Sequence, residues 1–152
     1  MIVRPPHRRV SRILLFDEQD ALLLLLTASP SLATPVVRWL TPGGGVEDHE
    51  SHHEGAVREL FEETGLVVHD LGAPVWTMSG QSHFADGTSQ TTYTEFFVTR
   101  TRRFLPVRDN WMDNEHVDIS DIRWWSLDEL ETTTEPFAPL DLTSIIRSQL
   151  SP

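Results

Sequence analysis

Trp39-Leu-Thr-Pro-Gly-Gly-Gly-Val-Glu-Asp-His-Glu-Ser-His-His-Glu-Gly-Ala-Val-Arg-Glu-Leu-Phe-Glu-Glu-Thr-Gly-Leu66 reads as a turn, a loop, an acidic helix and a stop. Ser51 followed three residues later by Glu54 is a capping-box pattern, able to satisfy two of the orphan amides at a helix start. Gly65 suits the helix end, where a left-handed residue is wanted. Between them, at about 100° per residue, Ala56, Val57, Leu60, Phe61 and Thr64 gather on one face and Glu59, Glu62 and Glu63 on another. The first face reads as core.

The second face needs a reason, because like charges three and four residues apart destabilise an isolated helix. Arg58 alone cannot neutralise three carboxylates. Two readings remain open: a solvated acidic surface, which is what charge runs usually are, or a site for a hard divalent cation bound through carboxylate oxygens.

The spacing of Gly44, Glu50, Arg58-Glu59-Leu60, Glu62-Glu63 and Gly65-Leu66 resembles the complete Nudix box. The resemblance extends upstream to Trp39, Pro42 and Gly43. Downstream it extends more loosely to Trp124, Leu127, Asp128, Glu129 and Leu130.

The chain has 152 residues, 39% hydrophobic and 23% charged, enough apolar material for one core, and a single domain is expected over residues 1–152. A formal net charge of −11 argues against duplex nucleic acid or an anionic membrane as partner, since both need a basic field. Zero cysteines exclude disulfides, thiolate catalysis and cysteine-based zinc sites, which fits a cytoplasmic location. The apolar run from Ala21 to Leu26 is far shorter than the ~20 residues needed to cross a bilayer. Asp17, Glu18 and Asp20 interrupt the apolar stretch that follows the N-terminal arginines, so no targeting segment is read.

From the N-terminus, residues 1–9 read as a loose arm or an edge contact. Val10–Phe16 and Leu22–Thr27 read as a hairpin pair around Asp17-Glu18-Gln19-Asp20. Val36–Leu40 is a short strand whose alternation sets Arg38 opposite Val37 and Trp39, so that Arg38 is a candidate for a substrate phosphate. Val67–Leu71 and Val75–Met78 read as strands, Ser79–Gln90 as a polar loop forming a hairpin tip or a flap near the substrate, and Thr91–Thr99 as a strand carrying Tyr93, Glu95 and Phe97 on one face. Thr101–His116 is irregular, and long loops in small domains are often functional. Ile119–Trp125 is the next strand, Ser126 and Glu129 form a second capping box, and Asp141 is placed to cap a last helix over Leu142–Leu150.

Periodicity alone gives an α/β or α+β domain. The resemblance implies the Nudix (MutT-like) α/β fold, a mixed sheet sandwiched between helices. It also implies Glu59, Glu62 and Glu63 as metal ligands with the carbonyl of Gly43 beside the same ion, magnesium as the cation with manganese as a substitute, and Glu50 paired with Arg58 to lock the loop. The activity it implies is hydrolysis of the diphosphate bond of a nucleoside diphosphate linked to another group, by water attack on phosphorus.

A general base must be a carboxylate within reach of that water. A box glutamate, Glu62 for example, is one option. Outside the box Glu115 is preferred, because loops carry movable groups; Glu95 follows, with Asp113 and Asp118 behind. Trp76 and Tyr93 are candidates for stacking on a base, together with Phe84, Phe104 and Trp111.

Two positions depart from the usual pattern: His49 stands where glycine is frequent, and Gly55 where alanine is. His49, His52 and His53 read as surface histidines and not as a zinc set. Signatures for ADP-ribose, dinucleoside polyphosphate, coenzyme A or NADH hydrolases do not follow Leu66, so the substrate stays open. The alternatives are a nucleotide-sensing or binding module with little turnover and, more remotely, an isoprenyl diphosphate isomerase, which the absence of cysteine disfavours. A small-molecule nucleoside diphosphate derivative is the expected partner, and a homodimer is admissible.

Overall fold

The computed structural model describes residues 4–105 and 118–150. Its first two strands, β1 (His7–Phe16) and β2 (Leu22–Ser29), form the centre of an eight-stranded mixed sheet. Strand β2 from Leu22 to Leu26 and the second half of β1, Ile13–Phe16, are continuous apolar runs, as expected of strand segments buried on both faces. Their turn is set by Asp17, whose Oδ1 accepts from the amides of Gln19 (2.8 Å) and Ala21 (2.9 Å), and by Asp20 in the left-handed region at φ 63°.

The expected hairpin is present, but β1 and β2 share only the Phe16–Leu22 pair before diverging. The long partner of β1 is β6 (Ser89–Arg100), parallel over ten residues from His7–Thr91 to Phe16–Arg100. Strand β2 pairs on one side with β3 (Val36–Leu40) and on the other with β7 (Asp118–Trp125). Between them the short β4 (Gly43–Gly45) lies against β1, with Arg12 opposite Gly43.

Alternation along these strands feeds two cores. Ile13, Leu15, Leu23 and Phe97 meet Ala56 and Leu60 of helix α1 (His52–Thr64). The alternate residues Leu14, Phe16, Leu22, Leu24 and Phe96 meet Leu130 of α2 (Leu127–Thr132) and Ile145 and Ile146 of α3 (Leu142–Leu150). Trp39 and Trp125 close this second core edge-on at 5.2 Å between ring centres. Each such side chain contributes about 1.5–3 kcal/mol on burial, so the two-sided packing fixes which face of the sheet α1 must cover. The sandwich implied by the Nudix resemblance is what forms.

Several local expectations are overturned. The loose-arm reading fails for residues 4–9, which make contacts instead: Arg4 Nη1 donates to Asp86 Oδ2 (2.6 Å) and its guanidinium lies 3.8 Å from the centre of the Phe84 ring, while His7–Arg9 are already strand. Val67–Leu71 is not a strand. After Gly65 the chain runs irregularly, with Leu66, Val68 and Leu71 on the α1 core, Val67 61% exposed, and the Leu71 amide donating to His53 Nε2 at 2.9 Å.

The stretch Ser79–Gln90, read as a polar loop at a hairpin tip or as a flap, is mostly strand: β5 (Trp76–His83) and β6 make the hairpin, and only its tip, in which Phe84 N donates to Thr88 O, is loop. Polarity concealed it, because most of β5 is exposed and shows no apolar alternation. Phe61, assigned to the core face, is 42% exposed. The two-residue β8 (Phe137–Ala138) pairs with β3 and completes the sheet. Among the described residues no helix is long and apolar enough to cross a membrane.

Candidate active site

Helix α1 begins and ends where its sequence says it should. Ser51 accepts from Glu54 N, Glu54 returns the bond to Ser51 N, and Gly65 at φ 80° closes the helix with its amide on Phe61 O. Those caps fix which turn of the helix meets the glycine strand.

Two close approaches make that meeting specific to glycine. Gly43 has φ 146°, and a Cβ there would stand 2.1 Å from Ser11 O. A Cβ on Gly44 would stand 2.6 Å from Glu59 Oε1, so the backbone of β4 packs directly on that carboxylate.

Arg58 ties the loop to the helix. Its Nε donates to Glu50 Oε2 at 2.7 Å and its Nη2 to Glu50 Oε1 at 2.8 Å and to Gly45 O at 3.0 Å. Arg58 holds the Glu50 carboxyl below its ordinary range, and Glu50 in turn raises the pKa of Arg58. Such a two-pronged pair is geometrically specific as well as strong. The remaining nitrogen, Nη1, reaches Glu59 Oε1 (3.2 Å) and Glu62 Oε2 (3.3 Å).

Glu59 is only 6% exposed, so the acidic face is not simply a solvated surface. Glu63 Oε1 accepts from Gly43 N at 2.6 Å. Burial, with Glu59 adding repulsion, pushes Glu63 up to about 8, and burial likewise raises Glu59. Arg12 and the Gly43 amide oppose the shift in Glu63 without cancelling it. The charged forms of Glu59 and Glu63 are therefore disfavoured by burial, and a cation placed among them would lower both pKa values.

Glu59, Glu62 and Glu63 offer hard oxygen donors of the kind that magnesium or manganese takes, so the donor set fits such a cation in chemistry. In the present rotamers two of them turn to Arg58 and one to Gly43. Among the described residues no three acidic or histidine side chains converge in ligand geometry, so a cation would have to draw them inward.

Sequence reasoning missed Arg12. Its Nη1 donates to Thr41 O at 3.0 Å, and burial lowers its pKa against the pull of Glu63. Its only signal in the sequence is a basic residue inside an apolar strand. Arg38 is half-buried; its Nε is buried without a hydrogen-bond partner, and that burial lowers its pKa.

Tyr93 and Glu95 belong to the other end of α1. Tyr93 Oη donates to Glu95 Oε2 at 3.0 Å and its ring stands edge-on to His52, 5.4 Å between centres. Seven residues separate His52 from Glu59, about 10 Å along the helix axis. Glu95 is thus held by a phenol and forms no salt bridge among the described residues.

Trp76 sits on the exposed strand β5, beside a hollow of about 390 Å³ lined by Pro74–Thr77 that none of the box side chains touches. His52 and His53 are half-buried and not free surface histidines: His52 contacts Ser11 and Tyr93, and His53 stacks edge-on to Phe97. Asp113 and Glu115 lie outside the described residues.

Comparison with known proteins agrees with this geometry. The model of the NUDIX domain matches residues 5–144. An RNA pyrophosphohydrolase of Cereibacter sphaeroides is 36% identical over 75 residues, spanning 47% of this chain and 44% of that protein, so the chain matches less than half the length of this curated relative. The MutT protein of Methanosarcina mazei Go1 has the same fold, with a TM-score of 0.69 at 20% identity over 99% of this chain and 100% of that one. The NUDIX domain of Shewanella oneidensis NrtR, solved in complex with ADP ribose, gives 0.63 at 19% identity over 97% and 91%. A match that takes in the glycine strand, the capped helix and both flanking cores covers nearly the whole molecule: the chain belongs to the NUDIX family.

Proposed function

We propose that the chain is a divalent-metal-dependent hydrolase that cleaves the phosphoanhydride of a nucleoside diphosphate joined to another group. The observation that carries this reading is the partly neutralised carboxylate group Glu59, Glu62 and Glu63, packed under the glycine strand and clamped by Glu50 and Arg58. Burial and mutual repulsion raise Glu59 and Glu63, and a divalent cation among them would stabilise their charged forms.

Glu59, Glu62 and Glu63, with the carbonyl of Gly43, would hold magnesium or manganese. When bound, the ion would neutralise diphosphate oxygens and make water a better nucleophile. The chain's own groups supply the rest. Glu50 and Arg58 fix the loop before substrate arrives, which saves ordering entropy at each binding event. Arg38, with an unpaired buried Nε, is suited to donate to a phosphate oxygen.

In the reaction a water oxygen bonds to phosphorus, the bond from phosphorus to the bridging oxygen breaks, and two phosphorylated fragments leave. The water proton passes to a carboxylate, for which Glu115 and Glu95 are the candidates outside the box. Trp76 and Tyr93 remain proposals for base contacts, with Tyr93 the better placed because it lies beside α1.

The relatives widen the substrate panel to ADP ribose and to RNA. The test is release of product from such a panel, with sugar nucleotides and nucleoside triphosphates included, in magnesium buffer beside Glu62→Gln. Turnover of one compound well above the rest, lost in the variant, is expected. No turnover with tight nucleotide binding retained would replace this reading with a sensing or binding module.

A further inference from the structure

Strand edges show where a sheet is meant to stop. In this sheet β8 is two residues long, β4 is three, and β7 carries Asp121 and Arg123, all features that discourage further pairing. Strand β5 has none of these protections. It ends the sheet, runs for eight residues, and contains no proline and no Asp, Glu, Lys or Arg. Indeed no such charge occurs anywhere from residue 71 to residue 85, in a chain of net charge −11.

Part of its outer edge is already used. Ala33 N donates to His83 O and Ala85 N to Ser31 O, with Leu32 bridged to Phe84, so residues 31–33 cover the tip. Among the described residues nothing pairs with the outer edge of residues 76–82.

Gly80 gives a second indication. A glycine inside a strand costs about 0.5–1 kcal/mol relative to alanine and often marks close approach by another backbone or side chain. Nothing among the described residues demands it: its φ is not positive, and a Cβ would make only an ordinary 3.5 Å contact with Thr92 Oγ1.

We infer that the open edge of β5 pairs antiparallel with β5 of a second copy of the chain, joining two sheets across a two-fold axis at Ser79. A second copy is the occupant that the charge pattern favours. Two chains of charge −11 repel over most of their surfaces, and this neutral segment brings no formal charge against another.

The symmetric register sets Ser79 against itself, Trp76 against Ser82 and Met78 against Gly80. The Met78 side chain of each copy then covers the space that Gly80 of the other leaves, as large side chains cover glycines across strand pairs. A seven-residue ladder is a small interface, so association depends on concentration. This inference is independent of the hydrolase reading.

The full chain, measured by sedimentation equilibrium across concentration, is expected to approach twice its 17.3 kDa mass. Ser79→Lys, which sets two cations together at the axis, is expected to stay at one mass with an unchanged circular dichroism spectrum and melting temperature. The chain has no cysteine, so Ser79→Cys is expected to form a disulfide dimer on mild oxidation, while the exposed Thr134→Cys is not. A wild-type monomer at every concentration up to millimolar, a dimer that Ser79→Lys leaves intact, or equal cross-linking of the two cysteine variants overturns the inference.

Discussion

Two buried acidic sites in this molecule are treated in opposite ways. At the β1–β2 turn, Asp17 is fully enclosed and accepts from the amides of Gln19 and Ala21 and from Arg103 Nε at 2.7 Å. Burial alone would raise its pKa, yet those donors outweigh it and hold the carboxyl below 3.8. Under the glycine strand, Glu59 is buried with the half-buried Glu63 beside it, Arg58 is spent mainly on Glu50, and both pKa values rise. A carboxylate whose donors are complete is part of the scaffold. One whose neutralising charge is incomplete is suited to receive charge from a ligand.

The sharpest way to break that contrast is to neutralise one acid at each site. Glu59→Gln removes a buried, under-compensated charge, so turnover should fall by about 10²–10³-fold, the scale of a lost electrostatic contact in the transition state. The melting temperature of the metal-free protein should rise, the trade expected where function stores instability. A calorimetric scan beside a rate measurement checks both, and a drop in stability would erase the distinction.

Glu50→Gln comes next. It weakens the clamp without touching the three carboxylates, and a loss of about 10–100-fold in kcat/KM is expected from a group that acts by orienting others. Wild-type kinetics would mean that the loop orders itself without the pair.

Asp17→Asn tests the scaffold side. Loss of the charged acceptor should cost about 1–3 kcal/mol of unfolding free energy in urea and leave kcat unchanged well below the melting temperature. Altered kcat would couple the turn to the site.

The same pair of proteins carries a pH signature. Because the folded pKa of Asp17 is depressed, the unfolded chain takes up the proton first. Its stabilisation is therefore complete above an unfolded value of about 3.9 and is lost as pH falls through the folded one. The gap in denaturation midpoint between wild type and Asp17→Asn should be constant near neutrality and close in acid. A gap that widens in acid would reverse the assignment.

The smallest effect belongs outside both sites. Phe61→Ser, at an exposed helix position, should change stability by no more than about 0.5 kcal/mol. A larger loss by urea titration would return Phe61 to the core.

How much of this could be read in advance follows from distance along the chain. The capping box of Ser51 and Glu54, the stop at Gly65, and the second box of Ser126 and Glu129 form as read, because each is a contact made within three or four residues. The spacing that carries the family resemblance lies within one loop and one helix, so it too was legible. The fate of Val67–Leu71 was not, since the Leu71 amide is satisfied by His53, eighteen residues earlier. The second half of β5, from Ser79 to His83, was not, since it is strand by pairing with β6 and not by its own alternation.

By itself the sequence determined where the central helix starts and ends, that acidic groups crowd its second half, and that a glycine turn precedes it. These are local matters of capping, periodicity and backbone freedom. The tertiary structure alone decided that β1 runs parallel to β6 and not along β2, that Arg12 lies among the carboxylates, and that Glu59 is buried while Phe61 is not. The reason is physical: burial and charge compensation depend on what the rest of the chain brings alongside, and no spacing within one helix contains that information.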